Sequence, residues 1–211
     1  MVPAGCRRVL DVGCSVGSIG EALRALGHTV TGIESNPVWA EAARGRLDSV
    51  IEADVEVLAA GGHPGLGGGG GPYDCVVLAD VLEHLRDPWG VMAWVAGLLD
   101  PAGCVVVSVP NIRHLQLVAR LLVGRRWPYD DIGIFDRTHL RWFAFANLAD
   151  LVEGSGLHIV ELRRSYALQA EPRTALGRGA NRIAPLLGDL VTFQFVFRAE
   201  QVGAAVAAAP S

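Results

Sequence analysis

The chain has 211 residues, 51% of them hydrophobic and 19% charged, which suffices for one well-buried domain and leaves little for a second. A net charge of -4 and a pI near 5.8 remove the electrostatic case for nucleic-acid binding. No apolar run reaches the roughly 20 residues a membrane span needs, and the N-terminus lacks a signal peptide's charged and apolar regions.

Strand and helix signals alternate along the chain, predicting an α/β fold with a mostly parallel sheet covered by helices on both faces. The first strand is read over Arg7 to Val12, an apolar run that Gly13 and Gly17 punctuate, and the first helix over Ser15 to Leu26. Thr29 to Ile33 is a second strand, finishing at Glu34. Asn36 and Pro37 then start a helix running to Leu47, with Asn able to cap and Pro suited to the first helical position. Ser49 to Glu52 is a third strand, followed by Asp54. The glycine-rich stretch Gly61 to Pro72 reads as a flexible loop; without a P-loop lysine it is no phosphate cradle.

Tyr73 to Ala79 is a fourth strand, Trp89 to Leu99 a helix and Gly103 to Val109 a fifth strand. Ile112 to Val123 is helix-like, and Phe145 to Ser155 is a helix closed by Gly156. Leu157 to Arg164 and Val191 to Ala199 complete seven strands. The absence of a full helical crossover between these two predicts that the last is inserted antiparallel. Residues 1–200 are therefore expected to form one domain, and 201–211 a disordered tail. Cys6, Cys14, Cys75 and Cys104 lie in or beside strands without a CxxC pair, as core residues of a cytoplasmic protein would.

The chemistry concentrates at strand ends. Glycines at a strand-to-helix turn allow close backbone approach to a ligand, and a helix start presents free N–H groups. Glu34 follows Gly13 at the spacing of a carboxylate that accepts hydrogen bonds from a ribose diol, although a helix-start carboxylate would also sit there. The turn D-V-G-C-S-V-G departs from the dinucleotide G-x-G-x-x-G. Asp11 at the strand end would repel a pyrophosphate and attract an ammonium group. Asp54 can reach an adenine amino group, and D-V-L-E-H-L places Asp80, Glu83 and His84 at the edge where open α/β sheets bind ligands.

At these residues the chain resembles the class I S-adenosylmethionine-dependent methyltransferases, from about Cys6 to Leu162. The resemblance rests on D-V-G-C-S-x-G, Glu34, Asp54, Y-D-C-V-V-L-A-D-V-L-E-H-L and V-V-V-S-V-P, and it implies a Rossmann-like seven-stranded sheet. It also implies S-adenosyl-L-methionine as cofactor, with Asp11, Gly13, Ser15 and Gly17 around the methionine part, Glu34 on the ribose and Asp54 on the adenine. Ala79 and Asp80 would approach the methionine amino group. Ser15 stands where the family usually has glycine.

The connection from Trp127 to Phe143 mixes aromatics, aspartates, arginines and a histidine, more than a passive loop requires. Its D-R-T-H-L-R-W-F segment is similar to one in bacterial members that modify small molecules, cell-surface sugars or natural products. Residues 111–142 and 165–189 are candidate substrate covers, with Tyr129, Arg137, Arg141 and Trp142 as candidate substrate contacts; an aromatic lid or ion-pair network would need the same residues.

A hydroxyl acceptor benefits from a base near neutral pKa, so His139 is the first candidate, Asp136 its orienting partner or a substrate clamp, and His84 the second. A metal held by Asp80, Glu83, His84 and His139 is not expected, because side chains along a helix face different ways. His28, His63, His114 and His158 read as surface or capping residues.

The expected activity is methyl transfer to a small molecule, most simply at the hydroxyl of a sugar or natural product, with nitrogen or carbon as alternatives. A homodimer is one expectation for assembly; a nucleic-acid or membrane partner is not. A nicotinamide-dependent oxidoreductase and a non-catalytic cofactor-binding domain are the rivals from other classes.

Overall fold

The computed structural model describes residues 1–61, 66, 72–127, 129–166 and 188–202. The apolar runs become strands β1 (Arg8–Val12), β2 (Thr29–Glu34), β3 (Ser49–Glu52), β4 (Tyr73–Ala79) and β5 (Leu99–Pro110), followed by β6 (Leu157–Ser165) and β7 (Gln194–Gln201). They form one sheet in the order β3-β2-β1-β4-β5-β7-β6. Neighbours from β3 through β5 are parallel, and β7 runs antiparallel to both β5 and β6, as the short final connection predicts.

Six helices accompany the sheet among the described residues: α1 (Ser18–Ala25), α2 (Pro37–Arg44), α3 (Val55–Gly61), α4 (Pro88–Leu98), α5 (Leu115–Leu122) and α6 (Phe145–Gly154). Asn36 caps α2 as its sequence predicts, its Oδ1 accepting from Val38 N at 2.9 Å and Trp39 N at 3.3 Å. Side-chain alternation divides the core in two. Leu10, Val12, Val76, Leu78, Val105 and Val107 pack with residues of α4 and α6, while Val9, Val30, Cys75, Val77 and Cys104 pack with Leu23 of α1 and Ala43 of α2. Burial on both faces is what near-continuous apolar strands require. The connections of β1 and β4 diverge to opposite sides of the sheet, which opens a crevice at their C-terminal ends.

Several expectations change. The helix α3 stands where no element was read; Asp54 Oδ1 accepts from Glu56 N at 2.8 Å and so starts it. The strand β5 begins at Leu99 because Leu99 pairs with Tyr73 before a register shift brings Cys104 opposite Cys75. The strand β7 begins only at Gln194. The residues before it form a tight turn, Gly188–Leu190, held by Asn111, whose Nδ2 donates to Asp189 O at 2.6 Å and Thr192 O at 2.8 Å.

His28 and His114 are buried rather than surface residues: His28 Nδ1 lies 2.7 Å from Cys6 O, and His114 packs edge-on against Phe193. Cys14, Cys75 and Cys104 are buried and Cys6 half-buried. His63, most of the glycine-rich loop, residues 167–187 and the tail from 203 lie outside the described residues. No described helix is long and apolar enough to cross a membrane.

Candidate active site

The turn leaving β1 takes left-handed backbone at three alternate positions, with φ +66 at Gly13, +50 at Ser15 and +84 at Gly17. A Cβ on Gly13 would come within 2.8 Å of Val81 Cγ2, so glycine is needed there for space as well as for conformation. Ser15 holds this left-handed backbone although it is not glycine, and its N–H donates to Glu34 Oε2 at 2.9 Å. Glu34 Oε1 accepts from Asn36 N at 2.8 Å. One buried carboxylate at the end of β2 thus ties the glycine turn to the start of α2.

These residues border a cleft of about 760 Å³. Gly13, Ser15, Glu34, Asp54, Ala79 and Asp80 all line it, and Ile33, Ala53, Val55 and Leu85 supply apolar wall. Asp80 closes the end of β4 with φ +55. Its Oδ1 accepts from Ser108 Oγ at 3.0 Å and Gln194 Nε2 at 2.6 Å, and its N–H donates to Ser108 O at 3.1 Å.

Two expected residues are elsewhere. Asp11 is 1% exposed and lies beneath the turn, because its place in β1 turns it onto the face covered by α1; it does not line the cleft. Gly17 also stays out of the cleft. A Cβ there would meet Ala43 at 3.3 Å, so its smallness serves the approach of the turn to α2.

A smaller cavity of about 190 Å³ shares Asp80, His84 and Asp136 with the cleft and adds Glu83 and His139. The chain after β4 forms a single tight turn, Leu82–His84, which directs Glu83 and His84 toward the later segment. The Glu83 carbonyl accepts from Leu140 N at 2.7 Å and Arg141 N at 3.0 Å, pinning that segment beside it. The rings of His84 and His139 meet edge to face at 4.8 Å. One ligand-capable atom from each of Glu83, His84 and His139 lies within 4.8 Å of the others, so the divergence along a helix that argued against a shared ion does not occur; Asp80 stands outside this trio.

Burial, then the neighbouring His84, lowers the His139 pKa, and Nδ1 of His139 is buried without a partner. Glu83 is 1% exposed with Oε2 unpartnered, and desolvation, with lesser help from Asp80 and Asp136, pushes its carboxyl up to about 8. For Asp136, desolvation acts upward, but hydrogen bonds from the Thr138 hydroxyl at 2.7 Å and amide at 2.8 Å outweigh it and hold the carboxyl below its usual value. That carboxylate bonds to Thr138 and makes no side-chain hydrogen bond to His139, so the orienting role expected of Asp136 is not seen.

A family model described as a methyltransferase domain matches residues 5–162. The chain belongs to the methyltransferase family. An O-methyltransferase of ubiquinone biosynthesis from Burkholderia vietnamiensis is 33% identical over 162 residues, which are 74% of this chain and 67% of that protein. A counterpart from Burkholderia ambifaria is 31% identical over the same shares. Among solved structures, an S-adenosylmethionine-dependent methyltransferase from Archaeoglobus fulgidus superposes with a TM-score of 0.65 at 19% identity, over 94% of this chain and 87% of the other. Magnesium protoporphyrin IX methyltransferase from Synechocystis, with bound S-adenosylhomocysteine, gives 0.62 at 17%, over 92% and 74%.

Membership sets aside the nicotinamide-dependent rival and makes S-adenosylmethionine the cofactor to test against this cleft. The donor set fits it: a carboxylate ends β2, apolar wall lies beside Asp54, and Gly13 and Ser15 border the same cleft with Asp80 at its far side.

The residues expected to contact the methyltransferase's substrate do not share one surface. Arg137 lines the cleft and pairs with Asp131 at 2.7 Å. Tyr129 instead borders a separate surface depression, Arg141 donates to the carbonyls of Arg86 and Leu140, and Trp142 packs edge-on against Trp127 at 5.4 Å. The residues that sequence reasoning missed are Ser108 and Gln194, which hold Asp80; Glu83 was placed at the ligand-binding edge and weighed as a metal ligand, but not as a neighbour of His139. Ser108 left a signal, a hydroxyl near the end of an apolar strand. Gln194 left none, since its place follows from the position of β7 in the sheet.

Proposed function

We propose that this methyltransferase transfers the methyl group of S-adenosylmethionine to a hydroxyl oxygen of a small molecule held between the cleft and the His84–His139 wall. The observation that carries the reading is the adjacency of the two cavities: Asp80, His84 and Asp136 line both. Oxygen as the accepting atom is supported by relatives named as O-methyltransferases of ubiquinone biosynthesis.

When bound, S-adenosylmethionine supplies an activated methyl on a positively charged sulfur. Glu34 is the acceptor for ribose hydroxyls, Asp54 for the adenine amino group, and Asp80 with the Ala79 backbone for the amino-acid end. Gly13 and Ser15 form the floor beneath the methionine part. Alignment of the acceptor supplies much of the acceleration in such a transfer. His139, kept neutral by burial, takes the acceptor's proton on its ring nitrogen, and His84 turns its edge to the same space. Glu83 is protonated at neutral pH and ionises near 8, where its charge steadies the imidazolium beside it. Arg137 and Thr138 face the acceptor from the later segment.

The test is a screen of sugar and phenolic hydroxyl acceptors with methyl-labelled cofactor, followed by mapping of the label. Label on oxygen, lost when the acceptor hydroxyl is removed, supports the reading. Label recovered on nitrogen or carbon overturns the choice of atom, and cofactor binding without transfer to any acceptor favours a binding domain.

A further inference from the structure

Three of the four cysteines meet on one face of the sheet, away from the cleft. Cys75 of β4 stands opposite Val9 of β1 on one side and Cys104 of β5 on the other, and the three pack in one cluster. Cys6, just ahead of β1, packs against the same cluster with its Sγ 3.8 Å from Asp74 O. Its backbone is tied down on three sides. Its N–H donates to Pro3 O at 3.1 Å, its carbonyl lies 2.7 Å from His28 Nδ1, and Asp74 Oδ2 accepts from Arg7 N at 2.6 Å and Arg8 N at 2.8 Å.

A cysteine in a dry core packs as a small apolar residue and is inert. Cys14 is of that kind: burial pushes its thiol up to about 12. Cys6 differs. A hydrogen bond from the Cys75 thiol draws it down from 9.0 to about 7, against desolvation and the Asp74 carboxylate, with lesser help from Cys104 and Arg198. Contacts with Cys104 and then with Cys6 keep Cys75 protonated, well above the ordinary thiol range. A surface hollow of about 350 Å³ is lined by Cys6 and Cys104, with Asp74, Asp100, Arg198 and Glu200 as its charged groups. A half-buried thiolate beside a protonated thiol is the arrangement of a reactive cysteine with a resolving partner.

We propose that Cys6 and Cys75 form a reversible disulfide when the protein meets a peroxide, which makes this corner of the sheet a redox modification site. The Cys6 thiolate attacks one peroxide oxygen and the O–O bond breaks, leaving a sulfenic acid on Cys6 and a hydroxide that takes up a proton to become water. The Cys75 sulfur then attacks the Cys6 sulfur. The S–O bond breaks, the Cys75 proton leaves with the hydroxyl as a second water, and the S–S bond closes. Two thiols lose two electrons in all, one peroxide is reduced to two waters, and a dithiol reverses the bond by exchange. Cys75 and Cys104 form the other close pair, but they sit in paired strands whose ladder fixes their backbones. Cys6 precedes β1, outside that ladder, and can adjust to the dihedral a disulfide requires. The bond fastens the segment ahead of β1 to β4. The inference goes beyond the methyl transfer assigned to the cleft and stands apart from it.

The test treats the full chain with an equimolar amount of hydrogen peroxide, blocks the remaining thiols with N-ethylmaleimide and maps the unreduced digest by mass spectrometry. A Cys6–Cys75 linked peptide is expected, with Cys14 and Cys104 blocked as free thiols and all four thiols recovered after dithiothreitol. Cys6→Ser should slow thiol loss about tenfold or more. Cys75→Ala should leave Cys6 as a sulfenic acid that dimedone captures. Alkylation of wild-type Cys6 by iodoacetamide should rise with pH through a midpoint of about 7. Wild-type affinity for S-adenosylhomocysteine shows that a variant is folded, and the wild-type peptide map decides the matter even if one is not. A wrong reading of the cleft would leave that map unchanged. A Cys75–Cys104 link, a link between two chains, no thiol loss with excess peroxide, or loss unaffected by Cys6→Ser would overturn the proposal.

Discussion

Replacing Asp11 by asparagine tests how the glycine turn is supported from below. Asp11 is 1% exposed, and its Oδ2 has no hydrogen-bond partner. Desolvation raises its carboxyl from 3.8 to about 7, with the Gly20 backbone N–H offsetting part of the effect. The unfolded chain releases this proton near the ordinary value, whereas the folded chain keeps it until about neutrality. The folded pKa is the higher one, so the associated stability is fully present below the unfolded pKa and is lost as pH rises through the folded one. A gap of about three pH units at 1.36 kcal/mol each is about 4 kcal/mol in all, of which about 2–3 kcal/mol lies between pH 5 and pH 8.

Asp11→Asn cannot ionise, so this dependence vanishes whatever constant gain or loss the amide brings. The assay is urea unfolding of both proteins across that range at fixed ionic strength. Glu83 titrates in both and cancels in the difference. The variant is expected to gain about 2–3 kcal/mol relative to wild type from pH 5 to pH 8. An offset that stays constant with pH would mean Asp11 is already ionised in the folded protein, and the burial argument would fail.

Ser15→Gly should relieve the left-handed backbone of a non-glycine residue, worth about 1 kcal/mol or a rise in Tm of about 2–4 °C, with S-adenosylhomocysteine affinity retained; an unchanged or lower Tm in a thermal melt would show no strain there. Glu34→Ala removes the proposed acceptor for ribose and frees the Ser15 and Asn36 amides, so calorimetry should show S-adenosylhomocysteine binding weakened about 10–100-fold. His139→Ala should leave that binding intact and lower turnover about 10²–10⁴-fold; unchanged turnover removes it as the base. In wild type, turnover should rise with pH through a midpoint below 6.5 as His139 loses its proton, and rise again near 8 as Glu83 ionises. Glu83→Gln should abolish the second rise alone, and a profile keeping both rises would count against the pair.

How much of this could be read from the sequence depended on the range of the interaction. Strands β1 to β4 were legible because their apolar runs are bounded by Gly13, by Asn36 with Pro37, and by Asp54. Glu34 was legible through its spacing from Gly13, fixed by one helix and one strand of ordinary length. The helix α3 was not, although Asp54 carried a start signal, because its alanines run on into glycines that signal loop. The meeting of Glu83 with His139 joins the turn after β4 to a distant segment without periodicity. Composition identified that segment as more than a linker. It could not say which side faces the cleft, and so Tyr129, Arg141 and Trp142 were expected there while Thr138 was overlooked.

The backbone strain shows why this topology suits this site. Non-glycine residues with left-handed φ are few, and two of the three described here, Ser15 and Asp80, line the cleft. Each is held by a side chain from another strand. Ser15 donates to Glu34 of β2, while Asp80 is bonded by Ser108 of β5 and Gln194 of β7. Gln194 begins β7 and pairs with Pro110 only because β7 runs antiparallel beside β5. A parallel strand in that slot would present its C-terminal end at the cleft and carry its first residue to the opposite edge of the sheet. The inverted final strand therefore does more than complete the core: it delivers a side-chain amide to the carboxylate that closes β4, and so helps hold the strained turn that shapes the cleft.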